Sequence, residues 1–181
     1  MISLVDRILR INELLEDADI PYAFGGALAL AYCTGEPRAT RDIDINIFLN
    51  IDHVEEVQKA LLPIVEFSPS QLCYLQIEHQ TRVFWDDVPI DLFFDVSHFH
   101  REMSMNTTLG KLKDRHIPIL SAEYLAILKT LFNRTKDWAD IEAMIEERSF
   151  DQHVVLGWLV ELLGNDDDRI DRLDRLVKRT E

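Results

Sequence analysis

Leu4, Val5, Ile8, Leu9, Ile11, Leu14 and Leu15 recur at helical spacing and predict an amphipathic helix over residues 3–17. Pro21 follows its end, and Tyr22-Ala23-Phe24 reads as a short strand running into Gly25-Gly26. Ala27 to Cys33 is rich in Ala and Leu and predicts a short helix, with Gly35 placed to stop it. The period then changes. From Asp42 to Leu49 polar and apolar residues alternate, so that Asp42, Asp44 and Asn46 share one face and Ile43, Ile45, Ile47 and Leu49 the other. This is a strand with an apolar back and a carboxylate front.

Residues 52–62 read as helical and Leu75 to Ile77 as a strand. Thr81–Trp85 and Val88–Phe94 form a predicted hairpin across Asp86-Asp87. Pro89 requires either that its strand lies at an edge or that the ladder begins after it. Beyond Asp95 the chain changes character. Ser121 starts a helix carrying Tyr124, Leu125, Leu128, Leu131 and Phe132, and Asp137 is placed to cap the next, with Ile141, Met144 and Ile145. Two more helices are expected over 151–163 and 166–179, the last with acids at its start and bases at its end, as the helix dipole favours. The expected fold is therefore α/β in the α+β sense: a small mixed sheet with helices on one face over 1–105, then a mostly helical portion over 106–181 packed on it.

Composition narrows the class. Hydrophobic residues make up 47% of the 181, enough for a packed core. No apolar run approaches the roughly 20 residues of a membrane helix. Asp6, Glu13, Glu16 and Asp17 interrupt the first segment and exclude a secretory core, so a cytoplasmic location is expected and the sequons at Asn106 and Asn133 carry no meaning. Cys33 and Cys73 form neither a disulfide framework nor a zinc pattern. The net charge of −14 disfavours a nucleic-acid partner without forbidding a local basic patch.

The candidate chemistry lies in four elements in order: Gly25-Gly26, a short helix, Asp42-x-Asp44 on a strand, and Asp91 on a later strand. Paired glycines let backbone N–H groups approach a triphosphate. A helix starting there adds its positive end. Two carboxylates two apart on a strand project side by side and suit Mg²⁺, which prefers oxygen. A third on a neighbouring strand permits two ions about 4 Å apart. Asp42, Asp44 and Asp91 are expected to converge on one cleft, with Asp87 and Asp95 as rivals for the third place. Any one of these features alone would be a solvated turn or a surface charge. There is no Gly-x4-Gly-Lys loop, so a P-loop NTPase is not supported.

Gly25-Gly26 followed by Pro37-Arg38-Ala39-Thr40-Arg41-Asp42-Ile43-Asp44-Ile45 resembles the signature of the DNA polymerase beta-type nucleotidyltransferase superfamily, and within it the AbiEii-like branch. That branch includes toxin-type enzymes, and antibiotic nucleotidyltransferases are more distant relatives. Ile90-Asp91-Leu92-Phe93 is similar to the third-carboxylate strand, and Lys129-x4-Arg134-x-Lys136-Asp137-x2-Asp140-Ile141 to later helices of the branch. The resemblance spans roughly 20–146; the gap from Gly26 to Asp42 is longer than in the shortest relatives.

The resemblance implies a nucleotidyltransferase fold and transfer of a nucleoside monophosphate from an NTP to an acceptor hydroxyl, releasing pyrophosphate. Asp42, Asp44 and Asp91 would be catalytic and bind two Mg²⁺, with Mn²⁺ as a substitute. Gly25 and Gly26 would contact the β- and γ-phosphates, with Arg38, Thr40 and Lys129 as further nucleotide contacts, and the triphosphate is expected between the two portions. The acceptor is left open: a small molecule such as an antibiotic, or a tRNA end or protein as for a toxin. The alternative is a non-catalytic nucleotide-binding partner in a toxin–antitoxin module. An antitoxin or a second copy of the chain is the expected partner, and no membrane. Arg41, Arg134, Lys136 and Asp137 read more simply as loop charges and a cap. His98-x-His100 lacks a third ligand for zinc. Trp85, Phe93, Phe94 and Phe99 read as core rather than as a base-stacking platform.

Overall fold

The computed structural model describes residues 2–180. By its internal contacts the chain divides into two compact units. The first takes the chain up to Leu28 together with Arg38–Leu120, and the second takes Ala29–Pro37 and everything from Ser121.

In the first unit, α1 (Leu4–Asp17) is capped by Ser3, whose hydroxyl accepts from the Asp6 N–H. Its buried stripe of Ile8, Ile11, Leu14 and Leu15 is the one the heptad-like spacing predicts. β1 (Tyr22–Phe24) and β2 (Ile43–Asn50) pair antiparallel, and α2 (Gly26–Thr34) between them begins in the first unit and ends in the second. A short 3-10 turn, Ile51–His53, leads into α3 (Val54–Leu61). The hairpin is β3 (Gln80–Trp85) and β4 (Val88–Asp95), turning at Asp86, whose φ is 53°.

The sheet has six strands in the order β3-β4-β2-β1-β6-β5, where β5 is Thr107–Leu112 and β6 is Arg115–Leu120. β2 runs parallel to β4, and β1 parallel to β6, so the sheet is mixed, as expected. Ile43, Ile45 and Ile47 of β2 and Ile90, Leu92 and Phe94 of β4 join Ile8, Ile11 and Leu15 of α1, Val57 and Leu61 of α3, and Leu75 in one core. Each such side chain contributes about 1.5–3 kcal/mol relative to exposure. This burial makes the alternation of β2 binding: a one-residue slip would drive Asp44 into the core. Pro89 resolves as the second alternative. β4 is an interior strand, but its ladder with β2 begins at Ile90, one residue later.

Three sequence expectations need correction. Leu75 to Ile77 is not a strand but the last part of α4 (Pro69–Glu78). Ser68 and Gln71 form a reciprocal capping box and Pro69 occupies the first turn, signals that outweigh a three-residue alternation. Between Asp95 and Ser121 the chain is not helical alone. α5 (His98–Met105) leads into the β5–β6 hairpin, which turns at Lys113 (φ 53°). A boundary at residue 105/106 would therefore cut two strands from their sheet.

The second unit is helical: α6 (Ala122–Phe132), α7 (Thr135–Glu146), α8 (Gln152–Leu163) and α9 (Asp168–Thr180). Asn133, in the left-handed region at φ 55°, ends α6, and its side chain accepts from Trp138 Nε1 at 2.7 Å. Arg172 lies over the buried Trp138 ring at 4.1 Å. Among the described residues, no helix is long and apolar enough to cross a membrane.

Candidate active site

The parallel ladder between β2 and β4 sets Asp44 directly beside Asp91. Residues paired in this way point to the same face of the sheet. Asp42, one residue before β2, has the same parity. The three aspartates therefore share the face opposite the isoleucine core, and Asp91, not Asp87 or Asp95, is in register. Asp87 lies exposed in the turn between β3 and β4. Asp95 is used locally, accepting from the Ser97 N–H at 3.0 Å just before α5.

The glycines sit against these strands. Gly25 N–H donates to the Asp44 carbonyl at 2.9 Å, fastening the end of β1 to β2. A Cβ on Gly25 would meet Asn46 Nδ2 at 2.9 Å. Gly26 has a φ of +53°, and a Cβ there would overlap Asp44 Oδ2 outright and lie 2.5 Å from its Cγ. Glycine is thus required at 26 on two counts, backbone conformation and space. The main chain at the start of α2 is brought against the Asp44 carboxylate by the absence of a side chain.

Sequence reasoning missed Arg82. It stands opposite Asp91 in the antiparallel β3–β4 pair. Its Nε and Nη2 donate to Asp91 Oδ1 and Oδ2, each at 2.7 Å, and Nη2 also reaches Asp42 Oδ2 at 3.4 Å. The hydrogen bond to Asp91 raises the Arg82 pKa above its usual value, with burial opposing and the charges of Asp91, Asp42 and Asp44 adding to the rise. A signal was present in the sequence. The hairpin across Asp86-Asp87 pairs residues whose numbers sum to 173, which puts Arg82 opposite Asp91.

Among the described residues, no three His, Cys, Asp or Glu side chains are grouped as a metal site. A guanidinium, itself a cation, bridges two of the three carboxylates instead.

Of the remaining candidates, Thr40 holds the turn into β2: its Oγ1 donates to the Asp42 carbonyl and accepts from the Asp42 N–H, both at 3.2 Å. Arg38 and Arg41 are exposed in the segment before β2. Lys129 is not on a solvated face. Its side chain is 7% exposed, and Nζ donates to Asp140 Oδ2 at 2.7 Å and lies 4.0 Å from Asp137. Asp137 in turn accepts from Arg134 Nε at 2.6 Å and from the Arg134 backbone N–H at 3.2 Å, reaching back as the third residue of a capping box. Burial alone would raise the Asp137 pKa. The bonds and charge of Arg134, with Lys129 beyond, outweigh it and hold the carboxyl below its usual value. Lys136 is exposed.

The other motifs are local. His98 faces Glu102 at 3.9 Å and His100 pairs with Ser97 Oγ at 3.1 Å. Phe94 and Phe99 are buried, while Trp85 lies under Arg7 at 4.7 Å. A cavity of about 340 Å³ in the second unit, lined by Ile145, Arg148, Phe150 and His153 among others, contains none of the candidate residues.

Comparison with known proteins places the architecture. No curated protein sequence matches the chain. An antigenic nucleotidyltransferase-like protein from Paracoccidioides brasiliensis is similar in structure, with 20% identity, TM-score 0.57, and 97% of this chain and 92% of that chain covered. The antibiotic-resistance factor ANT(2'')-Ia is similar at 13% identity and TM-score 0.57, covering 97% and 91%. The lincosamide antibiotic adenylyltransferase LnuA, bound to lincomycin, is similar at 18% identity and TM-score 0.53, covering 75% and 92%. These likenesses establish the nucleotidyltransferase fold. The family model described as "Nucleotidyl transferase AbiEii toxin, Type IV TA system" matches residues 7–179, including the C-terminal helices that the residue-level resemblance left out. The chain belongs to the AbiEii nucleotidyltransferase family.

Proposed function

We propose that this chain transfers a nucleoside monophosphate from an NTP to an acceptor hydroxyl, releasing pyrophosphate, with Asp42, Asp44 and Asp91 holding two Mg²⁺. The observation that carries the reading is the register of Asp44 beside Asp91, with Gly26 stripped of a side chain against Asp44. The donor set suits Mg²⁺, being all carboxylate oxygen. The bridging guanidinium of Arg82 marks the same spot as one that stabilises a cation. Bound Mg²⁺ would supply charge neutralisation for the triphosphate and a lowered pKa for the acceptor hydroxyl.

The chain's own residues would do the rest. Gly26 would offer its backbone N–H to the β- and γ-phosphates at the start of α2, while Gly25, whose own N–H is taken by the Asp44 carbonyl, would only let the phosphates approach the main chain. Asp91 would accept the acceptor's proton. Arg38 and Thr40 precede β2 and would be further nucleotide contacts. Lys129 remains a candidate for the terminal phosphates, under the constraint that Asp140 already takes one of its three donors.

For the acceptor, the charge of −14 favours a small hydroxylated molecule over tRNA, as in the antibiotic-modifying enzymes that share the fold. The family's toxin description favours a toxin role with an antitoxin partner, in which a tRNA or protein acceptor is the second reading. Incubating the protein with each α-labelled NTP, Mg²⁺ and cell extract identifies the labelled species. A labelled product with wild type and none with Asp44→Asn is expected. No labelled species with any NTP would reject the enzyme reading in favour of a non-catalytic partner protein.

A further inference from the structure

Arg82 has no task in the proposed transfer, yet its position is built. The β3–β4 register sets it opposite Asp91, and Gln71 Nε2 of α4 donates to the Arg82 carbonyl at 2.6 Å, fixing the backbone of this edge strand. The guanidinium makes a planar two-point fork on Asp91 and a third contact on Asp42. A fork of this kind engages both carboxylate oxygens, the same atoms a divalent cation needs. Asp91 therefore cannot serve Arg82 and a metal ion in full at once. The Arg82 side chain is 50% exposed, so it has open solvent into which to swing.

We propose that Arg82 is the resident counter-cation of this carboxylate face and exchanges with the divalent cation. Without metal it holds Asp91 and Asp42 in place and relieves the repulsion among three neighbouring carboxylates. When the metal ion binds, the fork on Asp91 opens, so metal entry and Arg82 departure are one event. The nucleotide-free protein is thereby kept from binding metal tightly, and the cation is retained best when it arrives with the triphosphate. Arg82 is a positioning residue in this scheme, acting through Asp91. The proposal rests on the reading that Asp42, Asp44 and Asp91 take divalent metal.

The test is Mn²⁺ binding to the full chain without nucleotide, followed by the paramagnetic resonance of free Mn²⁺. Wild type, Arg82→Gln, Arg82→Lys and Arg82→Gln/Asp91→Asn are compared, with folding checked by circular dichroism. Arg82→Gln should bind Mn²⁺ about two- to fivefold more tightly than wild type, the scale of a half-exposed ion pair. Arg82→Lys, which keeps the charge and loses the fork, should fall between. The melting-temperature gain on adding Mn²⁺ should be larger in Arg82→Gln, because ligand binding to the native state stabilises by mass action.

Equal or weaker Mn²⁺ binding by a folded Arg82→Gln overturns the exchange. If Arg82→Gln/Asp91→Asn then binds more weakly than Arg82→Gln, the metal reading survives that result. Absence of Mn²⁺ binding in all the folded proteins overturns the metal reading and the exchange together. Should Arg82→Gln not fold, Arg82→Lys decides, with a tightening of about twofold expected on the same scale.

Discussion

Replacing Lys129 with Met would separate two roles that sequence alone could not distinguish. The Lys129 side chain is 7% exposed and those of Asp140 and Asp137 are 5% and 1% exposed. Removing the ammonium leaves Asp140 buried without its 2.7 Å partner, while Asp137 keeps Arg134 at 2.6 Å. Breaking a buried pair in this way costs about 3–5 kcal/mol, because a buried carboxylate loses its 2.7 Å counter-charge. For a chain of this size roughly 2–4 °C of melting temperature goes with each kcal/mol, so a fall of about 6–20 °C is expected.

The double variant Lys129→Met/Asp140→Leu removes both charges and fills the space with apolar groups, and should recover most of that loss. It then provides a folded protein in which to measure triphosphate affinity by calorimetry. If Lys129 also contacts the phosphates, the double variant should bind a non-hydrolysable NTP more weakly by about 1–3 kcal/mol, with nucleoside binding unchanged. A Lys129→Met melting temperature within a degree or two of wild type would refute the buried-pair reasoning. Undiminished NTP affinity in the double variant would confine Lys129 to holding α6 and α7 together.

Gly26→Ala should lower transfer by at least an order of magnitude and weaken Mn²⁺ binding, since the new methyl displaces Asp44 Oδ2; a stability loss of about 1–2 kcal/mol from the positive φ should appear in the same thermal melts. Asp44→Asn should abolish labelling from α-labelled NTP while circular dichroism and melting temperature stay at or slightly above wild type, because one repelling carboxylate is removed. The lowered Asp137 pKa makes stability pH-dependent with a definite sign: the native carboxyl ionises more readily than the unfolded one, so its contribution is fully present above the usual carboxylate pKa near 3.8 and is lost as pH falls through the native value. Urea melts from pH 7 to pH 3 should show that loss, and Asp137→Asn should flatten it.

The sheet was legible where period and punctuation agreed. Ile43 to Leu49 could alternate in only one way, and Pro21 and Gly25 bracketed β1, so the carboxylate face followed from the residues. The β5–β6 hairpin was not legible because its signals are weak. Leu109 is 72% exposed, Gly110 lies inside β5 and Pro118 inside β6, which leaves Ile117 and Ile119 as too short an apolar alternation to mark a hairpin.

Arg82 and Lys129 escaped for a shared reason. Arg82 carries no motif of its own and Lys129 is expected to face a nucleotide, because charge in an amphipathic pattern is assigned away from the core by default. In both, the partner is set by register or by a second helix rather than by neighbours in sequence. The cue for Lys129 was the run Tyr124-Leu125-Ala126-Ile127, followed by Lys129-Thr130, all six of which are buried. A helix apolar around most of its circumference has no wet face to offer a lysine. The acid that must accompany it is therefore part of the fold's specification, and Asp140, one helix later in the same motif, is that acid. The same logic applied to β3 explains Arg82. A cation placed by hairpin register against an acid whose neighbour is another acid is a counter-charge before it is anything else, and in the proposed transfer chemistry at Asp91 would begin by displacing it.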